Sequence, residues 1–241
     1  MHALTKGLLI GTTSMLIAQQ AWAEETAITT PAPANASSNE PLVPVATAET
    51  PRLENSERLL RLVGTIGLSL GGDTIATAYY SNGDSEDLKA GGLIYGALGL
   101  GLDIPNTPVS LQVSSGFHFN ETSADNGEMT FERGTLDAQI FFRHGNHRFG
   151  VGAVQHKAPE YVGKIDGQPE DRATFDDASG LSLEYNYLPM SFNWPFKDSR
   201  AGFSVRYVKI DYEAKTYNGA TVVNPLPISG NHVAAGVYLY L

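Results

Sequence analysis

Six histidines are the side chains best suited to acid–base work in this sequence: His2, His118, His144, His147, His156 and His232. Joined to a serine and a carboxylate, a histidine can take the serine proton while the acid orients the ring. Ser114, His118 and Glu184 supply those three types on strand-like stretches. None of the local motifs that accompany such chemistry surrounds them, and nothing in the sequence shows that they meet, so no catalytic residue is assigned. His144 and His147 flank a short turn and could touch a metal, but no carboxylate sits at a useful local spacing, so no metal site is assigned. The run Gly96-Ala-Leu-Gly-Leu-Gly101 has glycines spaced like a nucleotide loop. Asp103, Pro105 and Pro108 come after it in place of a helix, so no cofactor is assigned either. The stretch Ala158–Ser179 carries Glu160, Asp166, Glu170, Asp171, Asp176 and Asp177 without the spaced ligands and fixed glycine of a calcium loop. A solvated acidic loop is expected there.

Composition removes further classes. With no cysteine among 241 residues there is no disulfide framework, thiol nucleophile, Cys-based zinc site or lipidated cysteine. A formal net charge of −10 lacks the basic face that nucleic acid requires. Residues 1–23 have the form of a secretory signal: Lys6 before the apolar core Gly7–Ala18, then the cleavage site Ala21-Trp-Ala23. That core is shorter than the ~20 residues a helix needs to span a bilayer. Residues 24–57, with Pro31, Pro33, Pro41, Pro44 and Pro51 among Ala, Thr and Ser, read as a disordered linker.

The elements that must position the histidines and charges are strands. From residue 58 to Leu241 the periodicity is two, over eight stretches. They are Arg61–Tyr80, Asp87–Leu102, Val109–Asn120, Glu128–Arg143, His147–Lys157, Gly180–Leu188, Arg200–Glu213 and Asn231–Leu241. A break or bulge is expected at Gly71-Gly72, and phase shifts near Gly134 and at Tyr207-Val208. On most strands Leu, Val, Phe and Tyr share one face, and Gly, Ser and ionisable residues share the other. Leu181, Leu183, Tyr185 and Tyr187, for example, oppose Ser182, Glu184 and Asn186.

A water-soluble eight-stranded barrel fills its interior with bulky apolar side chains. A transmembrane barrel turns the apolar face outward. The small, polar face of this chain fits the second arrangement. Its interior would hold Arg61, Lys89, Asp137, Arg143, Arg148, Glu184, Arg206, Lys209, Asp211 and Glu213, with His118, His156 and His232, as a paired network that plugs the bore. Turns at Asp103–Pro108, His144–Asn146 and Pro189–Ser199 would lie at one end. Longer loops at Ser81–Glu86, Glu121–Gly127, Ala158–Ser179 and Ala214–Gly230 would lie at the other. Phe192, Trp194, Phe196, Tyr185 and Tyr187 would contribute to an aromatic girdle.

The last stretch, NHVAAGVYLYL from Asn231 to Leu241, alternates to its final residue, as a strand that closes a barrel against the first would. With the signal segment and the eight strands, it resembles the small outer-membrane β-barrel proteins of Gram-negative bacteria, over roughly Arg61 to Leu241. The family's last strand commonly ends in Phe, whereas here it ends in Leu241 beside Tyr240. The resemblance implies an all-β, eight-stranded antiparallel up-and-down transmembrane β-barrel with a disordered N-terminal segment. It implies Sec-type export to the outer membrane, and outer-membrane lipids, lipopolysaccharide and the barrel-insertion machinery as partners. A structural or surface-interaction role is expected. The alternatives are a barrel-embedded enzyme acting on lipid A or phospholipid, and a soluble periplasmic lipocalin-like binder of apolar ligands.

Overall fold

The computed structural model describes residues 59–80, 82–124 and 126–241, together with the two-residue strand Leu8–Leu9. The expected signal segment and linker lie outside the described residues, apart from Leu8–Leu9, which pairs with Tyr80 and Tyr79.

The alternating stretches fold into eight antiparallel strands. They are β1 (Leu60–Gly71), β2 (Ile94–Asp103), β3 (Val109–Ala124), β4 (Gly127–His144), β5 (His147–Ile165), β6 (Ala178–Phe192), β7 (Ser199–Lys209) and β8 (His232–Tyr240). Each pairs with its neighbours in sequence, and β8 returns to β1 with His232 opposite Gly71 and Tyr240 opposite Val63. The sheet is therefore a closed up-and-down barrel. Beyond β8, Leu241 exchanges both backbone hydrogen bonds with Leu62, at 2.9 and 2.8 Å.

Closure divides the side chains by parity. Phe117, Leu183 and Leu239 are 51%, 57% and 39% exposed, whereas Gln112 and Glu184 are 5% and 8% exposed. The apolar face is the outer one, as the alternation implies.

Four expectations need correction. First, the opening stretch ends at Gly71-Gly72, where both glycines have positive φ (128° and 76°). The chain then forms a separate hairpin, Thr74–Tyr80 with Ser85–Lys89, so the expected loop Ser81–Glu86 falls within this hairpin rather than between two barrel strands. Leu88 and Ala90 belong to this hairpin and its exit and are fully buried, unlike the outward Ile94, Leu98, Leu100 and Leu102. Second, neither β4 nor β7 changes phase. Met129, Phe131, Arg133, Thr135, Asp137 and Gln139 all face inward on β4, and Ser204, Arg206, Val208, Ile210 and Tyr212 do so along β7 and its continuation. What changes is the chemistry of the inner face, from apolar at the loop end to polar below. Phase changes occur instead on β6, where the register slips between Tyr187 and Met190, and on β5. There Ala158, at φ 43°, is part of a bulge that sets two residues against Arg133 and turns Tyr161 inward. Third, Lys89, Lys209, Asp211 and Glu213 point outward, because β7 keeps its phase and Lys89 sits on the hairpin. Fourth, the expected loops Glu121–Gly127, Ala158–Ser179 and Ala214–Gly230 are largely strand. β3, β4 and β5 run for 16, 18 and 19 residues. The sheet then extends through Asp171–Phe175, Ala214–Tyr217 and Ala220–Thr221.

The loop end of the bore is filled by an apolar cluster that includes Leu88, Met129, Phe131, Phe175, Ile210 and Tyr212. Phe131, Phe175 and Tyr212 meet edge to face, an arrangement that adds to the area they bury. Outside, cross-strand ion pairs clothe the extended sheet: Glu128–Lys164, Arg172 with Glu160 and Glu170, and Asp177–Lys157.

Asp177 also accepts the Ala158 N–H at 2.9 Å, which pins the bulge. The hydrogen bond from Lys157 and then that from the Ala158 N–H hold its carboxyl below the ordinary 3.8. A depressed carboxyl stabilises the fold above its unfolded pKa, and that contribution is lost as the pH falls through the folded value. An NMR titration of Asp177 should therefore give a midpoint below 3.8, and Lys157→Met should move it upward. An unmoved midpoint in that variant would contradict the pairing.

Candidate functional site

The ionisable side chains that the alternation sends inward meet in the bore, in layers fixed by strand register. Nearest the turn end, Asp103 of β2 accepts from Arg61 Nε of β1 at 3.3 Å and Arg143 Nη1 of β4 at 3.4 Å, and from the Tyr240 hydroxyl of β8. One carboxylate thus ties four strands together. The next layer centres on Arg148 of β5, which donates to the Tyr238 hydroxyl at 2.8 Å, Ser110 at 3.3 Å and Gln112 Oε1 at 3.4 Å. Its guanidinium lies 4.1 Å from the Phe141 ring centroid and 4.2 Å from that of Tyr240. Aromatic faces on both sides stabilise a cation that, among the described residues, has no carboxylate in direct contact.

Above these, Arg206 of β7 pairs with Asp137 of β4. Gln139 Nε2 donates to Glu184 at 3.1 Å and Ser182 at 3.3 Å. The Tyr95 hydroxyl reaches Ser204 at 3.3 Å. Higher still, His118, His156 and His232 gather with ring centroids 4.9–6.1 Å apart. Arg133 lies beside them, with Nε 3.1 Å from His156 Nδ1 and Nη2 3.1 Å from His118 Nδ1. A guanidinium only donates, so both ring nitrogens accept and both histidines are neutral there. His232 Nδ1 faces the Gly230 carbonyl at 2.8 Å and must donate to it. Among the described residues Arg133 Nη1, Asp137 Oδ2 and the Asn186 amide have no hydrogen-bond partner.

The residues weighed for serine chemistry do not meet. Ser114 and His118 lie four positions apart on one strand, about 13 Å at the usual rise. His118 is engaged by Arg133, and Glu184 by Gln139. His144 is exposed at the turn, and His147 Nδ1 bonds the Tyr185 hydroxyl at 2.8 Å. Among the described residues no group of three His, Cys, Asp or Glu can hold a metal ion. The acids of the outer sheet are matched largely by cations: Asp177 and Asp176 have Lys157 and Lys215, and Glu160 and Glu170 share Arg172.

Of the expected inward charges, the structure brings Arg61, Asp137, Arg143, Arg148, Glu184 and Arg206 into the bore. The sequence reading missed Asp103, taken as the start of a turn, and Arg133, hidden by the supposed slip at Gly134. The signal for Arg133 was the unbroken odd-numbered series from Met129 to Gln139, once apolar members of an inner face are admitted. The arrangement can cross-link and seal a bore. It does not bring Ser114, His118 and Glu184 together. The chain matches no protein-family model, and no curated protein shows significant similarity to it.

Removing one member of a buried ion pair strands the other, at a cost of roughly 3–5 kcal/mol, whereas replacing both with apolar side chains of similar volume is close to neutral. Asp137→Ala should therefore lower unfolding stability by about that amount. In a urea-unfolding double-mutant cycle, Asp137→Leu with Arg206→Met should cost far less than the sum of the single changes. Additive losses would show that the two groups do not interact.

Proposed function

We propose that this chain is an outer-membrane β-barrel protein of a Gram-negative bacterium, delivered by Sec-type export, with a structural or surface-interaction role. One observation carries the reading: a band on the outward face of all eight strands holds no charged side chain, while arginines and acids crowd the bore. On β3 the band runs from Leu111 to Phe119, with Glu121 the first outward charge beyond it. Its neighbours contribute Ile140, Val151, Leu183, Phe203, Val237, Leu68 and Leu98, all well exposed. Eight residue steps at ~3.3 Å, tilted by about 40°, give a height of roughly 20 Å, close to the apolar band of such barrels. A water-soluble protein would carry this belt as an exposed apolar surface of a size that monomers avoid.

The ends support the same setting. Trp194, Phe196 and Tyr187 stand outward near the turn end, where an aromatic girdle meets the interface. A membrane-spanning strand needs only about 9–11 residues, so β3, β4 and β5 reach past the lipid. They carry a stiff sheet into the medium, with Tyr217, Val223 and Leu226 exposed on its last turns. The Asp103 and Arg148 layers close the bore below and the apolar cluster closes it above, so the barrel presents a surface rather than a channel. Outer-membrane lipids and lipopolysaccharide are its surroundings, and the barrel-insertion machinery its partner during assembly.

In a Gram-negative host the protein should leave envelopes only with detergent, shift its gel mobility on heating, and give no conductance steps in planar bilayers. Leu183→Arg, in the middle of the belt, should impair insertion into lipid vesicles by about 2–4 kcal/mol. Release with the soluble periplasm would overturn the reading in favour of a lipocalin-like binder. A change in lipid A or phospholipid composition that depends on the gene would redirect it to an embedded enzyme.

A further inference from the structure

The hairpin of Thr74–Tyr80 and Ser85–Lys89 stands at the loop end, and one of its edges is open. The Tyr80 N–H donates to the Asp84 carbonyl at 2.9 Å, and the Tyr80 carbonyl accepts from the Gly83 N–H at 3.0 Å. Both backbone groups of Tyr80 therefore point into the hairpin. Along an antiparallel pair this direction alternates. Tyr79, opposite Ser85, and Thr77, opposite Asp87, thus turn their N–H and C=O groups to the far side. Among the described residues only Leu8–Leu9 forms a strand there, antiparallel against Tyr80 and Tyr79. Export as proposed above removes Leu8 and Leu9 with the signal segment. The edge is then bare, a template of the kind that folded sheets otherwise cover or blunt.

The two faces beside this edge differ. On one, Ala78 and Leu88 are fully buried, and Ala76 and Tyr80 pack with them on the apolar cluster. On the other, Tyr79 is exposed, and Asp87 accepts from the Thr74 and Thr77 hydroxyls at 3.2 and 2.8 Å. The hairpin is also acidic. Asp73, Asp84, Glu86 and Asp87 are all exposed and stand against one cation, Lys89. Among the described residues none of these acids belongs to an ion pair.

We infer that this edge takes up an extended segment of a partner protein whose side chains alternate between apolar and basic. Its main chain bonds Thr77 and Tyr79, as a strand added to a sheet does. Its apolar side chains land beside Ala76 and Ala78 at the rim of the cluster. Its basic ones stand beside Thr77 and Tyr79, in the field of Asp84 and Asp87. The same charges oppose a second copy of the chain, which would bring a matching set of acids to the edge. This names a partner for the surface-interaction role proposed above and rests on that reading.

Protein purified from outer membranes in an uncharged detergent, titrated with a short peptide of alternating leucine and lysine, tests this by amide exchange read by NMR. A peptide with glutamate for lysine is the comparison. The lysine peptide should protect the Thr77 and Tyr79 amides and bind at least about fivefold tighter than the glutamate one, the upper range of a single exposed ion pair. Thr77→Pro removes an N–H that the hairpin does not use. It should abolish protection at Tyr79 and leave the Ala78 and Tyr80 amides as they are. Methylating the peptide's own bonding nitrogens should also abolish it, with the protein unaltered. Protection that is absent, equal for the two peptides, or unaffected by methylation overturns the proposal. Protection at Tyr79 that grows with protein concentration alone would assign the edge to a second copy and also overturn it. Binding to the purified protein but not to intact cells would uphold the edge and bring down the outward orientation beneath it.

Discussion

The return of β8 onto β1, from His232 opposite Gly71 to Tyr240 opposite Val63, is the constraint on which the rest of the structure depends. It removes the two free edges that an eight-stranded sheet would otherwise present. Every strand then finds hydrogen-bond partners on both sides. It also fixes what each residue faces. Once the sheet is a cylinder, parity along a strand means inside or outside, and a polar group sent inward must find its partner within a narrow bore. Tyr238 and Tyr240 show this coupling. They lie on the closing strand, and their hydroxyls bond Gln112 at 2.6 Å and the Asp103 carboxylate respectively. The strand that seals the backbone also completes the interior layers.

A bore this narrow holds five arginines, Arg61, Arg133, Arg143, Arg148 and Arg206, against three carboxylates, Asp103, Asp137 and Glu184. Uncompensated cations in such a place would cost several kcal/mol each. Aromatic faces, phenols and neutral imidazoles make up the difference. Arg148 sits between Phe141 and Tyr240, and Arg133 lies near Phe131 and Tyr212 with two histidine nitrogens as acceptors. The packing needs glycine on the facing wall. A Cβ at Gly150 would strike the Phe141 ring, and the ring could not then support the Arg148 guanidinium. His118 and His156 accept from Arg133, and His232 bonds the Gly230 carbonyl.

The sequence made the barrel legible because period-two alternation and outward bulk are properties of single residues. Leu111, Val113, Phe117 and Leu183 could be placed outside from their neighbours alone, and Ser110, Gln112 and Glu184 inside. The errors came where the inner face ceases to be polar. Met129 and Phe131, and likewise Val208 and Ile210, look like outward residues if inward always means hydrophilic, and that assumption invented two phase shifts. The shift at Ala158 left little trace, because a bulge depends on backbone φ and on pairing with a distant strand. Arg133 is hidden by the supposed slip at Gly134 and Asp103 by its place at the start of a turn, and their partners, His156 and Tyr240, are fixed by register rather than by spacing. The hairpin that buries Leu88 could not be separated from β2 by periodicity, because backbone turns set it off, at Gly71 and Gly72 from β1 and at Gly92 from β2, all three with positive φ.

The barrel therefore has two interiors: a charged one within the belt, and an apolar one where β3, β4 and β5 outrun it. In the proposed setting, lipid requires the first to be sealed, and water around the upper sheet allows the second to pack as it would in a soluble domain. The orientation of each side chain relative to lipid is the claim under all of this, and the absence of cysteine from the chain opens it to direct measurement. Spin labels placed singly from residue 111 to 119 on bilayer-reconstituted protein would report collision with oxygen, which concentrates in lipid, and with a water-soluble nickel complex. The account predicts oxygen maxima at Leu111, Val113, Ser115 and Phe117, with Gln112, Ser114, Gly116 and His118 shielded from both probes. Nickel accessibility at the odd positions, or oxygen maxima at the even ones, would contradict it.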